Sequence, residues 1–559
     1  MTNEITHASW WQRHRFQLFA ALIILLGGFL RFFTIGAKTV WLDEAFSIWV
    51  ANQPIWEGWA WLIRVDQHPP LFYTLLSIWQ SLFGDLQGTV RALSALFSTL
   101  TIPGLYLVGR RLTNDEYTGL LAALILAVAP FHVRFAQETR MYALLSCAAV
   151  WAIYFAIGLL QADHGRRLRL RDWFSPRSWR TQPMVGNAVG LALFQAAVML
   201  THNTATVFFT MALNLSVLGV WLFRRLSART VSMPAVNQSP FLRNWLYTQL
   251  AALILWLPWA IPFVLQSIKV DQEFWLWSPS VREIINVLRN FDFAHFPGNL
   301  PWQPLMILYA LLALGGLVAL RRRFAWALLL LSLFLTPFVG ELLVTLRRPI
   351  FYDRTLIWTN MAYYLLIALG IRSLGASFLR QGTESRTESG EYGYRPLFGP
   401  VALRLRLAPL LQGLLVTIIV AASALALNGY YFHFQKEDWA KAADHVAARA
   451  QPGDMIIFNA TWVQIPFEYY YRHYDLDTEL RGLPTDLFDF GILEPKMMRE
   501  NVPALYDLIE GRERVWLVYS HDWYTDPERI IPTELDQSMQ RVDQSEFIGL
   551  RVMQYVAQE

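Results

Sequence analysis

The feature that constrains this chain most is a series of apolar blocks, each roughly 18 to 24 residues long and poor in charge, running from residue 17 to residue 430. A helix of that length covers the ~30 Å of hydrocarbon in a bilayer, and lipid offers the backbone no hydrogen-bond partners, so each block is expected to be helical. The blocks fall at 17–35, 88–109, 116–133, 140–160, 184–201, 204–223, 245–266, 302–320, 324–345, 354–373 and 408–430. Composition agrees, since 55% of the 559 residues are hydrophobic and 16% charged, where soluble domains carry about a quarter charged. The expected fold class is a polytopic α-helical membrane protein with about eleven transmembrane helices. The first block, Gln17 to Ile35, follows Arg13 and Arg15 and lacks a small-residue cleavage signature, so it reads as a retained helix.

One further stretch, Pro69 to Gly84, is apolar but short and opens on a double proline. Basic residues decide whether it spans. If it does not, Arg110 and Arg111, the run Arg166 to Arg180, Arg224 and Arg225, Arg321 to Arg323, and Arg372 to Arg406 all share the N-terminal side, which the positive-inside rule makes cytoplasmic. If it spans, all of them face outward. The stretch is therefore expected to dip into the outer leaflet or lie against the bundle. Residues 1–430 then form the transmembrane domain, with a first outer loop at 36–87 and a cytoplasmic linker at 374–407. Residues 431–559 are expected to form an extracytoplasmic soluble α/β domain. There a helical pattern (Trp439 to Ala450) alternates with strand-like runs such as Met455 to Phe458 and Val515 to Tyr519.

The net charge of +4 arises in short loops between apolar blocks, where it sets topology, so no nucleic-acid partner is expected. A single cysteine, Cys147, excludes intrachain disulfides and cysteine metal sites. No ligand spacing demands a metal, and a divalent cation stays open as a cofactor.

Chemistry-bearing residues collect where the spans meet the outer face. Asp43 and Glu44 follow the first span; adjacent helical residues project about 100° apart, so the two acids are expected to differ in role. A carboxylate held at a partly dry site could accept a proton from an attacking hydroxyl, and the plain alternative is a solvated helix start favoured by the helix dipole. His68 precedes Pro69 and Pro70, which would hold it at the mouth of the short apolar helix. It reads either as a phosphate, metal or carboxylate partner or as a helix-entry residue. After the third block come Arg134, Glu138, Arg140 and Tyr142, whose charges at a span end face a cavity or pair with one another. His202 sits in a tight polar hairpin on the same side. Arg347, Arg348 and Arg354 crowd the outer end of two spans against the positive-inside trend. They suit a lipid phosphate or pairing with Glu341 or Asp353.

These motifs, Trp41-Leu42-Asp43-Glu44, His68-Pro69-Pro70-Leu71, Arg91-Ala92-Leu93-Ser94-Ala95, Gln137-Glu138-Thr139-Arg140-Met141-Tyr142 and Asp353-Arg354-Thr355, resemble in order and spacing the bacterial branch of the GT-C glycosyltransferases. The branch is the protein-mannosyltransferase-like family (glycosyltransferase family 39) that includes the aminoarabinose transferases of lipid A, and the likeness covers roughly residues 15 to 375. The resemblance implies a GT-C fold and inverting transfer of a sugar from a polyprenyl-phosphate-linked donor to a lipid, glycan or protein acceptor at the outer face of the cell membrane. It casts Asp43 as general base, Glu44 as its acidic neighbour, Glu138 as a second acid near the acceptor and Arg140 as a donor contact. His68 departs from the lysine of aminoarabinose transferases and looks like the histidine of protein mannosyltransferases; Thr355 departs from the usual tyrosine. The expected partners are the lipid-linked donor, membrane lipids and an unidentified acceptor. A transporter or flippase of lipid-linked sugars is the alternative. It fits less well, because the polar residues gather at one face and no repeat is evident.

Overall fold

A computed structural model describes residues 10–162, 167–226, 240–269, 279–374, 401–485 and 496–558. The chain opens with the long helix α1 (Trp10–Phe32), followed by three short helices, α2 (Leu42–Asn52), α3 (Ile55–Val65) and α4 (Leu71–Phe83). Next come α5 (Gln87–Thr113), α6 (Glu116–Val128), α7 (Pro130–Ala136) and α8 (Tyr142–Gln161). The short α9 (Leu170–Trp173) and α10 (Pro176–Thr181) lead into α11 (Pro183–Met199) and α12 (Asn203–Leu226). The rest of the bundle is α13 (Phe241–Trp256), α14 (Ala260–Lys269), α15 (Val281–Phe293), α16 (Gln303–Ala319), α17 (Phe324–Thr345), α18 (Asn360–Ser373) and α19 (Val401–Asn428).

Each of the apolar blocks read from the sequence is helical. Among the described residues, seven helices are long and apolar enough to cross a membrane by themselves, and the bent pair α6/α7 makes an eighth. α11 and α16 are each 17 residues long, and α18 has 14 residues after a 3₁₀ turn at Asp353–Thr359. The 60° bend between α6 and α7 follows from Pro130, which has no N–H for the Leu126 carbonyl and keeps Ala129 extended. Arg31 answers the break. Its guanidinium is buried in the bundle and donates to the carbonyls of Leu126 (3.1 Å) and Ala127 (3.0 Å) and to Ser98 Oγ (2.7 Å). The bend matters because it carries Arg134 and the turn 137–141 back toward α2.

α4 has 13 residues, about 20 Å of helix at ~1.5 Å per residue, short of the ~30 Å core. Gln87, at the start of α5, donates to the carbonyl of Gly36 just beyond α1. The segment from 36 to 87 therefore leaves and re-enters the bundle at the same end. The linker read at 374–407 lies largely outside the described residues, and its last part, from Val401, begins α19.

The C-terminal α/β domain has β1 (Met455–Phe458), β2 (Glu479–Gly482), β3 (Arg514–Ser520), β4 (Met539–Phe547) and β5 (Leu550–Ala557) in the order β2-β1-β3-β5-β4. The first three are mutually parallel, and β5 runs antiparallel between β3 and β4. Helices α20 (Trp439–Ala447) and α21 (Thr461–Tyr471) cover one face; α22 (Val502–Ile509) and α24 (Ile530–Ser538) cover the other, with the short α23 (Asp522–Thr525) after β3. The domain is fastened to the segment 36–87. Tyr470 Oη accepts from the Val40 N–H (2.7 Å), Tyr469 Oη donates to the Asp85 carbonyl (2.8 Å), and Arg472 pairs with Asp85 (2.7 Å).

Candidate active site

A cavity of about 670 Å³ opens between the bundle and the C-terminal domain. Its bundle side is built by α2, the Asp66–His68 turn, α7 and the turn after it, the start of α12, and the 3₁₀ turn that carries Arg354.

Asp43, in the first turn of α2, faces this cavity, and Arg354 Nη1 donates to its Oδ2 at 2.9 Å. Arg140 Nε lies 3.9 Å from the same oxygen. Burial would raise the Asp43 carboxyl, but Arg140 and Arg354 outweigh it and hold it below the ordinary carboxylate value. Arg140 is itself placed by its Nη1, which donates to the Asp43 carbonyl (3.3 Å), Ser47 Oγ (3.2 Å) and Tyr73 Oη (3.3 Å). Arg354 lies over the rings of Tyr352 (4.8 Å) and Tyr142 (5.8 Å), so two aromatic faces set the plane of its fork.

His68 turns Nδ1 to Asp66 at 2.7 Å, and Asp66 also accepts from Tyr73 Oη at 2.6 Å. Burial opposes the Asp66 charge, yet His68, Arg140 and the Tyr73 hydroxyl bring its carboxyl well below the usual range. The His202 ring stands edge-on to His68, with centroids 5.2 Å apart. Its Nδ1 meets Thr204 Oγ1 at 3.0 Å, and its buried Nε2 has no hydrogen-bond partner among the described residues.

Glu44 and Glu138, expected as the acidic neighbour of Asp43 and as a second acid near the acceptor, are not among the residues that line the cavity. Glu44 projects about 100° round the helix from Asp43 and is fully buried. Arg91 grips both its oxygens (2.8 and 2.7 Å), Lys436 Nζ donates to it at 2.8 Å, and the Thr139 N–H at 2.8 Å. Burial pushes its carboxyl up, but Arg91 and Lys436 prevail and pull it down to about 2. Glu138 joins the same buried cluster through Arg134 (3.3 Å) and Lys436 (3.9 Å).

The arginine trio also divides. Arg348 and Arg354 line the cavity, whereas Arg347, one residue away from Arg348 at the end of α17, is exposed and outside it. Arg348 Nη1 donates to the Ser267 carbonyl at 2.7 Å. The acids proposed as alternative partners are otherwise engaged: Glu341 accepts from Thr355 and Asp353 from Asn290.

Sequence reasoning passed over Asp66, whose place two residues before His68 was a usable signal. It also passed over Tyr73 and Lys436, and over the cavity lining from the C-terminal domain, Trp462, His521, Trp523 and Tyr524. Nothing in the local pattern around these last residues marks them. Among the described residues, no three His, Cys, Asp or Glu side chains converge as a metal site.

Residues 67–175 match the family model described as dolichyl-phosphate-mannose-protein mannosyltransferase. The undecaprenyl phosphate-alpha-4-amino-4-deoxy-L-arabinose arabinosyl transferase 1 of Pseudomonas fluorescens is 30% identical over 145 residues, 23% of this chain. The match spans 26% of that relative's length, about a quarter. Among solved structures, apo ArnT from Cupriavidus metallidurans superposes with a TM-score of 0.60 at 13% identity, over 96% of this chain and 97% of that one. The same protein bound to undecaprenyl phosphate gives 0.57 at 14% identity, over the same shares. The oligosaccharyltransferase AglB from Archaeoglobus fulgidus, in complex with an inhibitory peptide and a dolichol-phosphate, gives 0.56 at 12% identity, over 99% of this chain and 75% of that one. The likeness is thus one of fold over nearly the whole chain and one of sequence over a shorter part, which for the family model is residues 67–175. The chain has the GT-C fold of these transferases, a polytopic helical membrane bundle with a C-terminal α/β domain.

Proposed function

We propose that this protein is a glycosyltransferase that moves a sugar from a polyprenyl-phosphate-linked donor to an acceptor at the extracytoplasmic face of the cell membrane, with inversion at the anomeric carbon. The observation that carries the proposal is Asp43, held on a cavity wall between Arg354 (2.9 Å) and Arg140 (3.9 Å). Similar folds whose structures contain undecaprenyl phosphate or dolichol-phosphate support the donor class.

The chemistry follows from the arrangement. Arg354, Arg348 and Arg140 present guanidinium forks to the donor phosphate, and Val207, Phe263 and Val344 give the cavity an apolar side suited to the isoprenoid chain. The acceptor oxygen attacks the anomeric carbon, the bond from that carbon to the phosphate oxygen breaks, and the phosphate departs with the electron pair. Its growing charge is met by the arginines. The acceptor proton passes to Asp43. A carboxylate paired to two arginines is a weak base, but a phosphate that shares those arginines loosens their hold and raises its basicity where the proton is released. Glu44 and Glu138 act behind this surface, by holding α2 and the 137–141 turn in place.

Asp43→Asn, assayed in membranes with a radiolabelled polyprenyl-phosphate sugar, is expected to lower turnover by about 10²–10⁴ while the protein remains inserted and folded. Undiminished turnover would overturn the assignment of the base.

A further inference from the structure

The sheet of the C-terminal domain has a topological switch point. β1 and β3 are neighbouring parallel strands, paired from Met455 with Val515 to Phe458 with Val518. After β1 the chain passes into α21, which packs with Trp439, Phe458 and Trp516 on one face of the sheet. After β3 it runs through α23 to α24, whose Ile531 and Leu535 pack with Met455 and Val515 on the opposite face. Adjacent parallel strands whose connections leave on opposite faces make a topological switch point, and ligands bind in the crevice outside the carboxyl ends of such strands. Asn459 ties the two strand ends together. Its side chain donates to the Ser520 carbonyl (2.7 Å) and Thr525 Oγ1 (2.8 Å) and accepts from the Ser520 N–H (2.9 Å). His521 follows in the left-handed region at φ 54°, a backbone state that costs energy outside glycine and gathers at functional sites.

This crevice opens onto the cavity that holds Asp43. Trp462 lines it from the β1 side, and His521, Trp523 and Tyr524 from the β3 side. Trp462 Nε1 is a buried donor with no hydrogen-bond partner among the described residues, and the Trp523 ring is 56% exposed. Among the described residues the domain contributes no lysine or arginine to the wall, whereas the bundle contributes Arg134, Arg140, Arg348 and Arg354. An anion therefore belongs on the bundle side and an uncharged group on the domain side. Aromatic faces beside an unused N–H suit a pyranose, whose C–H face stacks on indole while a hydroxyl accepts the hydrogen bond. A peptide held by strand addition would need an edge strand, and the edges β2 and β4 contribute nothing to the cavity.

We propose that this switch-point crevice binds a neutral saccharide of the acceptor, with Trp462 and Trp523 as its contact residues, so that the C-terminal domain presents the acceptor hydroxyl to Asp43. The inference rests on the transfer reading above. The test is saturation-transfer NMR on the full chain in nanodiscs, with cellobiose and maltose as probes and an Ala-Ser-Thr peptide for comparison. Farnesyl phosphate binding is followed separately through its ³¹P line width. Pyranose ring protons are expected to be saturated, and the effect to fall roughly fivefold in Trp462→Phe and in Trp523→Ala with farnesyl phosphate binding unchanged. Trp462→Phe keeps a ring beside His521, and Trp523 is exposed, so both variants should melt like the parent. No saturation of either disaccharide, or saturation that both variants retain, overturns the crevice, as does a peptide signal that the same variants abolish. Failure of the parent protein to bind farnesyl phosphate would instead strike the donor assignment and leave the crevice result standing.

Discussion

Lys436 Nζ meets Glu44 Oε2 at 2.8 Å across 392 residues of sequence. Lys436 lies between the last helix of the bundle and α20, and Glu44 follows Asp43 directly, so one buried contact ties the entry to the C-terminal domain to the helix that carries the proposed base. Removing one partner of a buried ion cluster typically costs about 3–5 kcal/mol, because the other charge is left uncompensated. Glu44→Gln takes the shared carboxylate from both Arg91 and Lys436, leaving Lys436 only Glu138 at 3.9 Å, whereas Lys436→Met leaves Glu44 its bidentate Arg91. Glu44→Gln is thus expected to lower the melting temperature in detergent more than Lys436→Met. Adding Lys436→Met to Glu44→Gln should recover part of the loss, since it removes one of the two like charges that shared the lost carboxylate.

The same cluster predicts acid lability in a defined window. The Glu44 carboxyl falls from 4.5 to about 2 on folding. A depressed folded value means the native state holds its proton less tightly than the unfolded chain, so the contribution to stability is complete above pH 4.5. It is lost as pH falls from there toward 2. Asp43 and Asp66, also depressed, act in the same direction. Through these carboxylates, melting temperature should decline as pH falls from about 5 toward 2. The decline should be shallower in Glu44→Gln, where one titrating group is gone.

Arg31 carries a prediction about the bundle. Its guanidinium takes the Leu126 and Ala127 carbonyls at the end of α6, where Pro130 has no N–H for Leu126 and the bend ends the helix. Arg31→Met should leave the Ala127 carbonyl open, at about 1–3 kcal/mol, and the Leu126 carbonyl with only the long 3.4 Å bond from the Ala129 N–H. Arg31→Lys, with fewer donors and no fork, should fall between Met and the parent. Thermal melting orders the three. A transfer assay at a permissive temperature should also show reduced activity in Arg31→Met, because the bend sets Arg134 and the turn bearing Arg140.

The helical blocks are legible in the sequence because lipid imposes length and apolarity on every span, and because few alternatives satisfy the backbone there. The separation of Asp43 from Glu44 is legible too, since neighbours on a helix project about 100° apart. Which acid faces the cavity is not. That is settled by Arg91, 47 residues away, and Lys436, 392 away, whose approach depends on the packing of three distant segments. Arg347 and Arg348 are indistinguishable by type, and only the turn ending α17 directs one inward. The aromatic wall from the C-terminal domain is the least legible part, because no periodicity marks loop residues that meet a cavity built by another domain.

Asp66 supplies the last prediction. It accepts from Tyr73 Oη at 2.6 Å and faces His68 Nδ1 at 2.7 Å, and an ionised carboxylate there favours the tautomer with hydrogen on Nδ1, which leaves Nε2 as an acceptor. Asp66→Asn presents an amide in place of that charge, which frees the tautomer and removes a negative partner from Arg140. Tyr73→Phe deletes two hydrogen bonds, the one its Oη gives to Asp66 (2.6 Å) and the one it accepts from Arg140 (3.3 Å), but keeps every charge and the His68 contact in place. Single-turnover transfer from a polyprenyl-phosphate sugar should therefore slow more in Asp66→Asn than in Tyr73→Phe. Asp66→Asn should also displace the acidic limb of the pH profile, whereas Tyr73→Phe should lower the curve without moving it. The reverse order would mean that Tyr73, through Arg140, positions Asp43 more strongly than the Asp66–His68 pair does.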